Sequence, residues 1–365
     1  MSTSEESAQS ARAGVIGLGI MGGAIARHLA AAGVRTSGYD LLSANLDAFS
    51  AQGGHACASA RAVAAMADIV ITSLPDSAAL ESALFGEEGL VTAGRTGILL
   101  VETSTLALED KEQARDRLAD AGIGMLDAPI SGTGPQAQAK DLAIFASGDR
   151  ADFERAQNLL SHFARSVRYV GPFGAGSKMK FIANLLVAIH IVGAAEAIVL
   201  GEKAGLDPSL LVEVLADSAA ASRMLEVRGP SMASGAYATP MMKADVFQKD
   251  LQVIANFALQ SKCPVPLFNS AAPFFTSLVA QGMGLYDTAA VVSVLRFLAG
   301  WRKNETRNDR RLPACDDNRE WPTAARHVGA GLQKRPDAEG HSGRPVHGHD
   351  GILFSVPGRN LYRLP

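Results

Sequence analysis

Lys180 and Asn184 are four residues apart in a mostly apolar stretch that predicts a helix. Residues at this spacing share one helical face, so an ammonium group lies beside an amide. Desolvation in a dry pocket lowers the pKa of a lysine, which can then exchange a proton with an alcohol or carbonyl oxygen. Gly174 and Gly176 just before the helix allow close approach of a chain segment or a small molecule. The alternative is a solvated lysine at a helix start, and we expect Lys178 to have that role.

A second chemical motif is a glycine-rich loop near the start of the chain. Gly17-Leu18-Gly19-Ile20-Met21-Gly22 follows a predicted strand and opens a predicted helix, which is the G-x-G-x-x-G pattern of dinucleotide sites. Gly17 permits the tight turn, Gly19 lets a pyrophosphate approach the backbone, and Gly22 allows close packing of helix on strand. The free N–H groups of the helix start then face the phosphates. We therefore expect all six residues to bind a dinucleotide.

Asp40 ends the second predicted strand, 23 residues after Gly17. An acidic residue about 20 positions after the glycine loop bonds the ribose hydroxyls of NAD. A carboxylate there repels a 2′-phosphate and no arginine follows it, so the sequence favours NAD over NADP. The alternative is an aspartate that only ends a strand, since this residue is common at turns.

The elements that must position these residues change in type along the chain. Residues 13–173 alternate short β-branched runs with Ala-rich helical stretches, which predicts an α/β fold with a Rossmann-type, doubly wound parallel sheet. Residues 174–298 predict an all-α domain, with Pro230, Pro240, Pro264 and Pro266 in short loops. The candidate strands are Ala13–Leu18, Arg35–Tyr39, Asp68–Ser73, Gly97–Glu102, Met125–Ile130, Ala143–Ser147 and Val167–Val170. The candidate helices of the second part run to Ala204 and then cover Leu210–Asp217, Met241–Lys262 and Ala289–Leu298.

Composition excludes several classes of protein. Of 365 residues, 47% are hydrophobic and 19% charged, which is enough apolar material for a core. The net charge of −3, with no long basic run before residue 300, argues against nucleic acid as a partner. The three cysteines and the histidines lack metal-ligand spacing, so we predict no metal, and we expect His190 to be a core histidine. The polar residues 1–12 are predicted to be a flexible N-terminus, and a cytoplasmic location fits.

One segment is long enough to suggest a membrane span. Phe181–Gly201 is mostly apolar but contains Asn184, His190 and Glu196, each costly at the centre of a bilayer. We therefore predict a buried helix and no membrane.

Residues 299–365 differ from the rest of the chain. From residue 296 onward lie 13 of the 34 lysines and arginines, without sustained helical or strand periodicity. A basic interaction tail is one interpretation. The missing periodicity favours a disordered extension, or sequence translated out of an ancestral frame, and we assign it no chemistry.

In combination, the motifs resemble those of the β-hydroxyacid dehydrogenases, a family that includes 3-hydroxyisobutyrate dehydrogenases, tartronate semialdehyde reductases and threonate dehydrogenases. The resemblance covers about residues 13–295. The matching motifs are the glycine loop, Leu74-Pro75 with Ser104-Thr105, Asp127-Ala128-Pro129-Ile130-Ser131-Gly132, Gly174-Ala175-Gly176-Ser177-Lys178-Met179-Lys180 with Asn184, and Lys249-Asp250-Leu251.

The resemblance implies a role for each motif. Lys180 corresponds to the catalytic lysine, general base in alcohol oxidation and general acid in aldehyde reduction, with Asn184 orienting it and the substrate. Hydroxyl and backbone N–H groups of Ser131, Gly132 and Thr133 would bind a substrate carboxylate. The cofactor contacts would be completed by Leu74, Pro75, Thr105 and Lys249.

This chain departs from the family pattern at two positions. Thr133 stands where the family often has a second glycine, which leaves the substrate's second substituent open. Ala183 stands where the family often has asparagine, but Asn184 keeps the helical spacing to Lys180.

The preferred hypothesis is an NAD-dependent dehydrogenase of a small 3-hydroxy acid. The alternatives are a tartronate or succinate semialdehyde reductase and, from another class, a non-catalytic dinucleotide-binding module; an imine reductase is disfavoured because Lys180 is present. The apolar helical half also predicts a homodimer or homotetramer.

Overall fold

The computed structural model describes residues 12–301, and the first part of this range is an α/β unit. Six strands form a parallel sheet in the order β3-β2-β1-β4-β5-β6, which is the doubly wound order of dinucleotide-binding folds. A second sheet has the order β7-β8-β9, with β7 antiparallel and β9 parallel to β8. The strands are β1 Arg12–Ile16, β2 Arg35–Tyr39, β3 His55–Ala56, β4 Ile69–Thr72, β5 Leu99–Glu102, β6 Gly124–Asp127, β7 Ile130–Ser131, β8 Ala143–Ala146 and β9 Ser166–Tyr169.

Helices cover the sheet and make up the second part of the chain. The seven helices of the first part are α1 Ile20–Ala31, α2 Ser43–Ala51, α3 Ala60–Met66, α4 Ser77–Phe85, α5 Leu108–Asp120, α6 Gly134–Gln138 and α7 Arg150–Ser161. They are followed by α8 Ala175–Lys203, α9 Pro208–Ala216, α10 Arg223–Ser234, α11 Ala244–Gln260, α12 Pro266–Ala280 and α13 Val291–Leu298. Short 3₁₀ turns lie at Leu90–Ala93 and Thr288–Ala290.

Burial explains why the central strands are mostly apolar. All residues of β4 and β5 are buried, because a parallel sheet is covered by helices on both faces. The polar residue that ends each of these two strands, Thr72 or Glu102, is also buried. The carboxyl ends of the sheet therefore place polar groups at one edge, where a doubly wound fold binds its ligand.

Helix α8 is the centre of the helical part. It is long and apolar enough to cross a membrane by length and composition, but it packs against α9, α10, α11, α12 and α13. The helix is partly buried, as the core helix of a globular protein is. This agrees with the buried helix that was predicted for Phe181–Gly201. The prediction for His190 is wrong, because this side chain is exposed. His190 shares an outward face of α8 with Ile182 and Leu186, at helical spacing.

Three predictions about elements need correction, and proline explains most of the differences. The predicted strand Met125–Ile130 is divided between β6 and β7 in two sheets, because Pro129 has no N–H for a ladder. Pro230 lies inside α10 rather than in a loop. Pro266 begins α12, where its missing N–H costs nothing. The remaining candidate strands each overlap an observed strand, and β3, of only two residues, was not predicted.

The predictions for the two ends of the chain fall outside the described residues. This applies to residues 1–11 of the N-terminus and to residues 302–365 of the tail.

Candidate active site

Lys180 lies on the second turn of α8 and is buried, with 6% of its surface exposed. It makes no hydrogen bond or ion pair to any of the described residues. Burial lowers its pKa; the charge of Asp250 opposes this and that of Lys249 adds to it. Lys178, two residues earlier, is exposed as expected. A buried amine with a lowered pKa is a group that can be neutral and accept a proton.

Asn184, one helical turn after Lys180, bonds an acidic residue of another helix. Its Nδ2 atom donates a hydrogen bond to Oδ2 of Asp250 at 2.8 Å, and both side chains are buried. Burial raises the pKa of Asp250, against the charges of Lys249 and Lys180, which lower it. Sequence reasoning named the motif that contains Asp250 but gave this residue no role. The available signal was a carboxylate at helical spacing from Phe247 and Ile254, on the apolar face of this helix.

Lys180 and Asn184 line a cavity of about 470 Å³ together with Ser131, Gly132 and Thr133. The loop that carries these three residues joins β7 to α6, so the sheet part and the helical part both contribute walls. The N–H and the hydroxyl of Thr133 both donate to Oε1 of Gln136, at 3.0 and 3.1 Å. Ser131 and Gly132 make no such side-chain contact within the described residues.

The remaining walls of the cavity come mainly from the helical part. Arg223, Met224, Val227 and Arg228 of α10 contribute, as do Val187 and Ile191 of α8 and Phe247 of α11. Met179, the residue before Lys180, is exposed on another face of α8.

The start of α8 is fastened to the sheet by Asp127 at the end of β6. The N–H and the hydroxyl of Ser177 each donate to this carboxylate at 2.7 Å, three residues before Lys180. Lys111 of α5 bonds Asp127 at 2.9 Å and Glu102 at 2.5 Å, and all three side chains are buried. Burial alone would lower the pKa of Lys111, but the charges of Asp127 and Glu102 outweigh it and raise the pKa. This ionic cluster fixes the turn that carries Lys180.

The glycine loop has the geometry that a dinucleotide requires. Gly17 has φ +89°, which disfavours other residues, and a Cβ at Gly22 would overlap the carbonyl oxygen of Gly17. A Cβ at Gly19 would meet no atom within 4 Å, so space is open at the position that faces the pyrophosphate. Gly19 is also the N-cap of α1 and supplies no side-chain cap, which leaves the N–H groups of Ile20 and Met21 for a ligand. These residues fit a dinucleotide.

Asp40 braces the same loop. Its Oδ2 accepts from the N–H of Leu18 at 2.6 Å, and Oδ1 accepts from the N–H of Leu42 at 2.8 Å. The carboxylate thus holds the second strand's end against the glycine loop, and its remaining lone pairs are available for ribose hydroxyls.

The loops after β4 and β5 meet at the same edge of the sheet. The N–H of Leu74 donates to the hydroxyl of Ser104 at 2.8 Å, and the neighbouring Pro75 is exposed. Nζ of Lys249 donates to the carbonyl oxygen of Thr105 at 2.6 Å. Lys249 therefore joins the helical part to the predicted cofactor edge. Among residues 12–301, no group of His, Cys, Asp and Glu side chains could hold a metal ion.

A doubly wound sheet with this glycine loop, next to a cavity that contains a buried lysine of lowered pKa, defines a dinucleotide-dependent dehydrogenase. Comparisons with known proteins agree. Residues 12–171 match the model of the NAD binding domain of 6-phosphogluconate dehydrogenase. Residues 174–295 match the model described as NAD-binding of NADP-dependent 3-hydroxyisobutyrate dehydrogenase.

The matches to individual relatives span nearly the full length of each relative. L-threonate dehydrogenase of Cupriavidus necator is 37% identical over 282 residues, which are 77% of this chain and 95% of the relative. 2-Hydroxy-3-oxopropionate reductase of Escherichia coli is 32% identical over 78% of this chain and 97% of the relative. The crystal structure of 3-hydroxyisobutyrate dehydrogenase from Salmonella typhimurium has a TM-score of 0.71 and 33% identity, over 78% of this chain and 99% of that one.

The chain belongs to the β-hydroxyacid dehydrogenase family. It is an oxidoreductase of small hydroxy acids with NAD as its cofactor, as the resemblance of the motifs predicted.

Proposed function

We propose that Lys180 is the general acid/base that moves the proton while a hydride passes between a small 3-hydroxy acid and NAD. One observation carries this proposal. Lys180 is buried in the cavity wall, has a lowered pKa and makes no hydrogen bond within the described residues. An amine in that state is free to bond a substrate oxygen.

The reaction follows from the position of the groups around Lys180. In the oxidative direction neutral Lys180 accepts the proton of the 3-hydroxyl group as the carbonyl forms, and protonated Lys180 returns it in reduction. Bound NAD supplies the hydride acceptor. Asn184 orients Lys180 and the substrate oxygen, and Asp250 holds Asn184 by the 2.8 Å hydrogen bond. Oxidation should therefore increase with pH through the pKa of Lys180, and reduction should decrease.

We further propose that the loop of Ser131, Gly132 and Thr133 binds the substrate carboxylate. The hydroxyl of Ser131 and the backbone N–H of Gly132 are the donors best supported by the geometry. The donors of Thr133 already bond Gln136, so this residue would shape the loop and contact the substrate only if that bond is exchanged.

The cofactor site is proposed to comprise Gly17, Leu18, Gly19, Ile20, Met21 and Gly22, with Asp40, Leu74, Pro75, Thr105 and Lys249. Support comes from the open space at Gly19 and from the Lys249–Thr105 bond, which links the helical part to the edge of the sheet. We retain the division into a NAD-binding domain of residues 13–173 and a helical domain of residues 174–298, since the strands end at Tyr169 and α8 begins at Ala175.

The second candidate function is a semialdehyde reductase that works mainly toward the alcohol. The name of the Escherichia coli relative, 2-hydroxy-3-oxopropionate reductase, favours it. The same residues would act in this reaction, and protonated Lys180 would donate the proton to the carbonyl oxygen of the semialdehyde.

A homodimer or homotetramer is proposed from the outward face of α8. Met179, Ile182, Leu186 and Leu200 are 43–72% exposed on this helix, and water-exposed apolar stripes of this kind mark interfaces. Light scattering of the purified protein tests this, because a monomeric mass would contradict it. A cytoplasmic location is proposed because the three cysteines, Cys57, Cys263 and Cys315, are far apart in the sequence, which fits a reducing compartment.

The test of the function is NAD⁺ reduction with a panel of short 3-hydroxy acids, including hydroxyisobutyrate, glycerate and threonate, and NADH oxidation with semialdehydes. Lys180→Ala should lower kcat by about 10²–10⁴-fold, the usual contribution of a general acid/base. The matched control is Lys178→Ala, which removes an exposed lysine of the same helix and should leave the rate unchanged. Activity that survives Lys180→Ala would contradict the proposed role.

A further inference from the structure

The loop of residues 131–133 is joined to a chain of hydrogen-bonded polar side chains. Oε1 of Gln136 accepts from the N–H and the hydroxyl of Thr133 at 3.0 and 3.1 Å. Nε2 of Gln136 donates to Oδ2 of Asp141 at 3.1 Å, and Oδ1 of Asp141 accepts from Nε of Arg165 at 2.6 Å. The chain therefore links the loop, through α6, to the residue that precedes β9.

The backbone turn after α6 brings Asp141 back to Gln136. Lys140 has φ +58°, in the left-handed region where glycine is the usual residue. The N–H of Asp141 donates to the carbonyl oxygen of Gln136 at 2.8 Å, and the N–H of Lys140 donates to that of Ala137 at 3.3 Å. These two bonds form a Schellman motif, which ends the helix and fixes the direction of the following residue.

Gly132 packs on the same turn. Its φ of +150° disfavours other residues, and a Cβ there would be 2.5 Å from Cδ2 of Leu142, the residue after Asp141. The same Cβ would be 3.7 Å from the carbonyl oxygen of Asp141 and from Cβ of Gln136. The conformation of the loop therefore depends on the segment that carries Asp141.

The carboxylate of Asp141 decides the direction of each hydrogen bond in the chain. The hydrogen bonds from Arg165 and Gln136 lower the pKa of Asp141, and burial only partly opposes them. An ionised carboxylate accepts and cannot donate. The amide of Gln136 must therefore turn its NH₂ group to Asp141 and its oxygen to Thr133, where that oxygen accepts both donors.

The arginines that line the cavity are each paired with a carboxylate of the protein. The pairs are Arg165–Asp141 at 2.6 Å, Arg223–Glu226 at 3.0 Å and Arg228–Asp287 at 2.7 Å. Because the charge of each arginine is offset in this way, the pairing favours the loop of residues 131–133 as the carboxylate site. Binding of the acid then depends on how firmly the loop is held.

We propose that Gln136 and Asp141 are positioning residues, which fix the loop of residues 131–133 in the conformation that binds the substrate carboxylate, with Arg165 fixing Asp141. This inference rests on the proposed function and adds residues that act without touching the substrate. In the opposing arrangement, Arg165 binds the carboxylate directly and Asp141 competes with the substrate. The two arrangements predict opposite effects of Asp141→Asn.

Asp141→Asn is the decisive variant. An amide at position 141 that accepts from Arg165 turns its NH₂ group toward the NH₂ group of Gln136, so Gln136 must rotate and the N–H of Thr133 loses its acceptor. We expect binding of an acid to weaken by about tenfold, the value of one hydrogen bond, although the variant removes a negative charge near the site. The measurement is calorimetric titration of isobutyrate, which has no hydroxyl group to oxidise, into the full chain saturated with NADH.

A double variant separates positioning from a general loss of structure. Gln136→Glu alone places two carboxylates in contact and should also weaken binding. Combined with Asp141→Asn it restores the pattern, because the carboxylate at position 136 accepts from Thr133 and from the amide at position 141, whose oxygen still accepts from Arg165. The double variant should bind isobutyrate nearly as the parent chain does. Gln138→Glu, at an exposed position of α6, adds the same charge and is the control.

Steady-state kinetics give a second readout, with the acid of the panel that is oxidised fastest. Each single variant should increase KM for the acid by about tenfold and change kcat much less, because the loop binds the carboxylate and does not move the proton. The double variant should recover most of the loss in KM.

Three results would overturn the inference. Asp141→Asn could bind isobutyrate as tightly as the parent or more tightly, and tighter binding would identify Arg165 as the carboxylate ligand. The double variant could bind no better than the single variants, or the parent chain could fail to bind isobutyrate. Failure of the proposed function would be distinguishable, since turnover would be absent or independent of Lys180 while these binding differences remained.

Discussion

The two most buried lysines of the described chain lie in contrasting environments. Lys111, under the carboxyl edge of the sheet, donates to Asp127 and to the carbonyl oxygen of Ser104 and forms an ion pair with Glu102. Lys180, in the cavity wall, has no hydrogen bond within residues 12–301. The pKa of Lys111 is raised by its two carboxylates, whereas that of Lys180 is lowered by burial.

The contrast shows that pairing, rather than burial, decides whether a buried lysine is structural or reactive. A lysine with every donor satisfied stays charged and supports its surroundings. A lysine with unsatisfied donors beside a cavity can change its protonation state. The two are physically connected, because Asp127 bonds both Lys111 and Ser177, three residues before Lys180.

Removal of Lys111 should have the largest effect on stability. Lys111→Met leaves Glu102 and Asp127 buried without their cation, and breaking a buried pair in this way costs about 3–5 kcal/mol. We expect that loss in the free energy of unfolding, measured with denaturant at neutral pH. Lys178→Met, at an exposed site, is the control and should change it little.

Lys180→Met sharpens the same comparison. Since the folded-state pKa of Lys180 is lowered, the unfolded chain binds more protons between the two pKa values, and stability increases with pH there. The variant should abolish this pH dependence and be at least as stable as the parent chain. If Lys180→Met lost as much free energy of unfolding as Lys111→Met, the contrast between a paired and an unpaired buried lysine would be wrong.

Asp250→Asn should shift the pH profile of oxidation, an effect smaller than those of the two lysine variants. The charge of Asp250 raises the pKa of Lys180, so its removal lowers that pKa further. The rising limb of oxidation should move to lower pH by about one unit, as expected for one charge at close range. Asp245→Asn, an exposed position on the same helix, should leave the profile in place. A shift toward higher pH would contradict the assignment of Lys180.

The smallest effect is expected for Asp40→Asn, which should change the preference between NAD and NADP. It should affect neither Lys111 nor Lys180. The amide oxygen still accepts from the N–H of Leu18, but the charge that repels a 2′-phosphate is gone. The ratio of kcat/KM with NADP to that with NAD should increase by about tenfold, through the lost repulsion. An unchanged ratio would mean that Asp40 only braces the glycine loop. A changed pH profile of oxidation would mean that the glycine loop and the surroundings of Lys180 are coupled.

The sequence predicted the features that depend on local spacing. The glycine loop and Asp40 are read from a pattern in one βα unit, and Lys180 and Asn184 from a four-residue interval in one helix. The all-α second part also followed from the loss of strand patterns after Gly176. These features need only the periodicities of strand and helix.

The sequence could not predict groups that folding brings together from distant positions. Asn184 and Asp250 are 66 residues apart, and Arg228 and Asp287 are 59 residues apart. Lys111 stands in a polar stretch of α5 that predicts a solvated lysine, yet it is fully buried. The helix that contains Pro230 was missed because tertiary packing overrides the local cost of proline.

Competitive amine labelling would compare Lys180 with Lys178 in one sample. The rate of acetylation by a small reagent is followed against pH for each lysine by mass spectrometry, with the folded protein intact. We predict that Lys180 titrates below the ordinary lysine value of 10.5, while Lys111 does not react. A pKa of Lys180 at or above that ordinary value would contradict its role as the proton-transferring group.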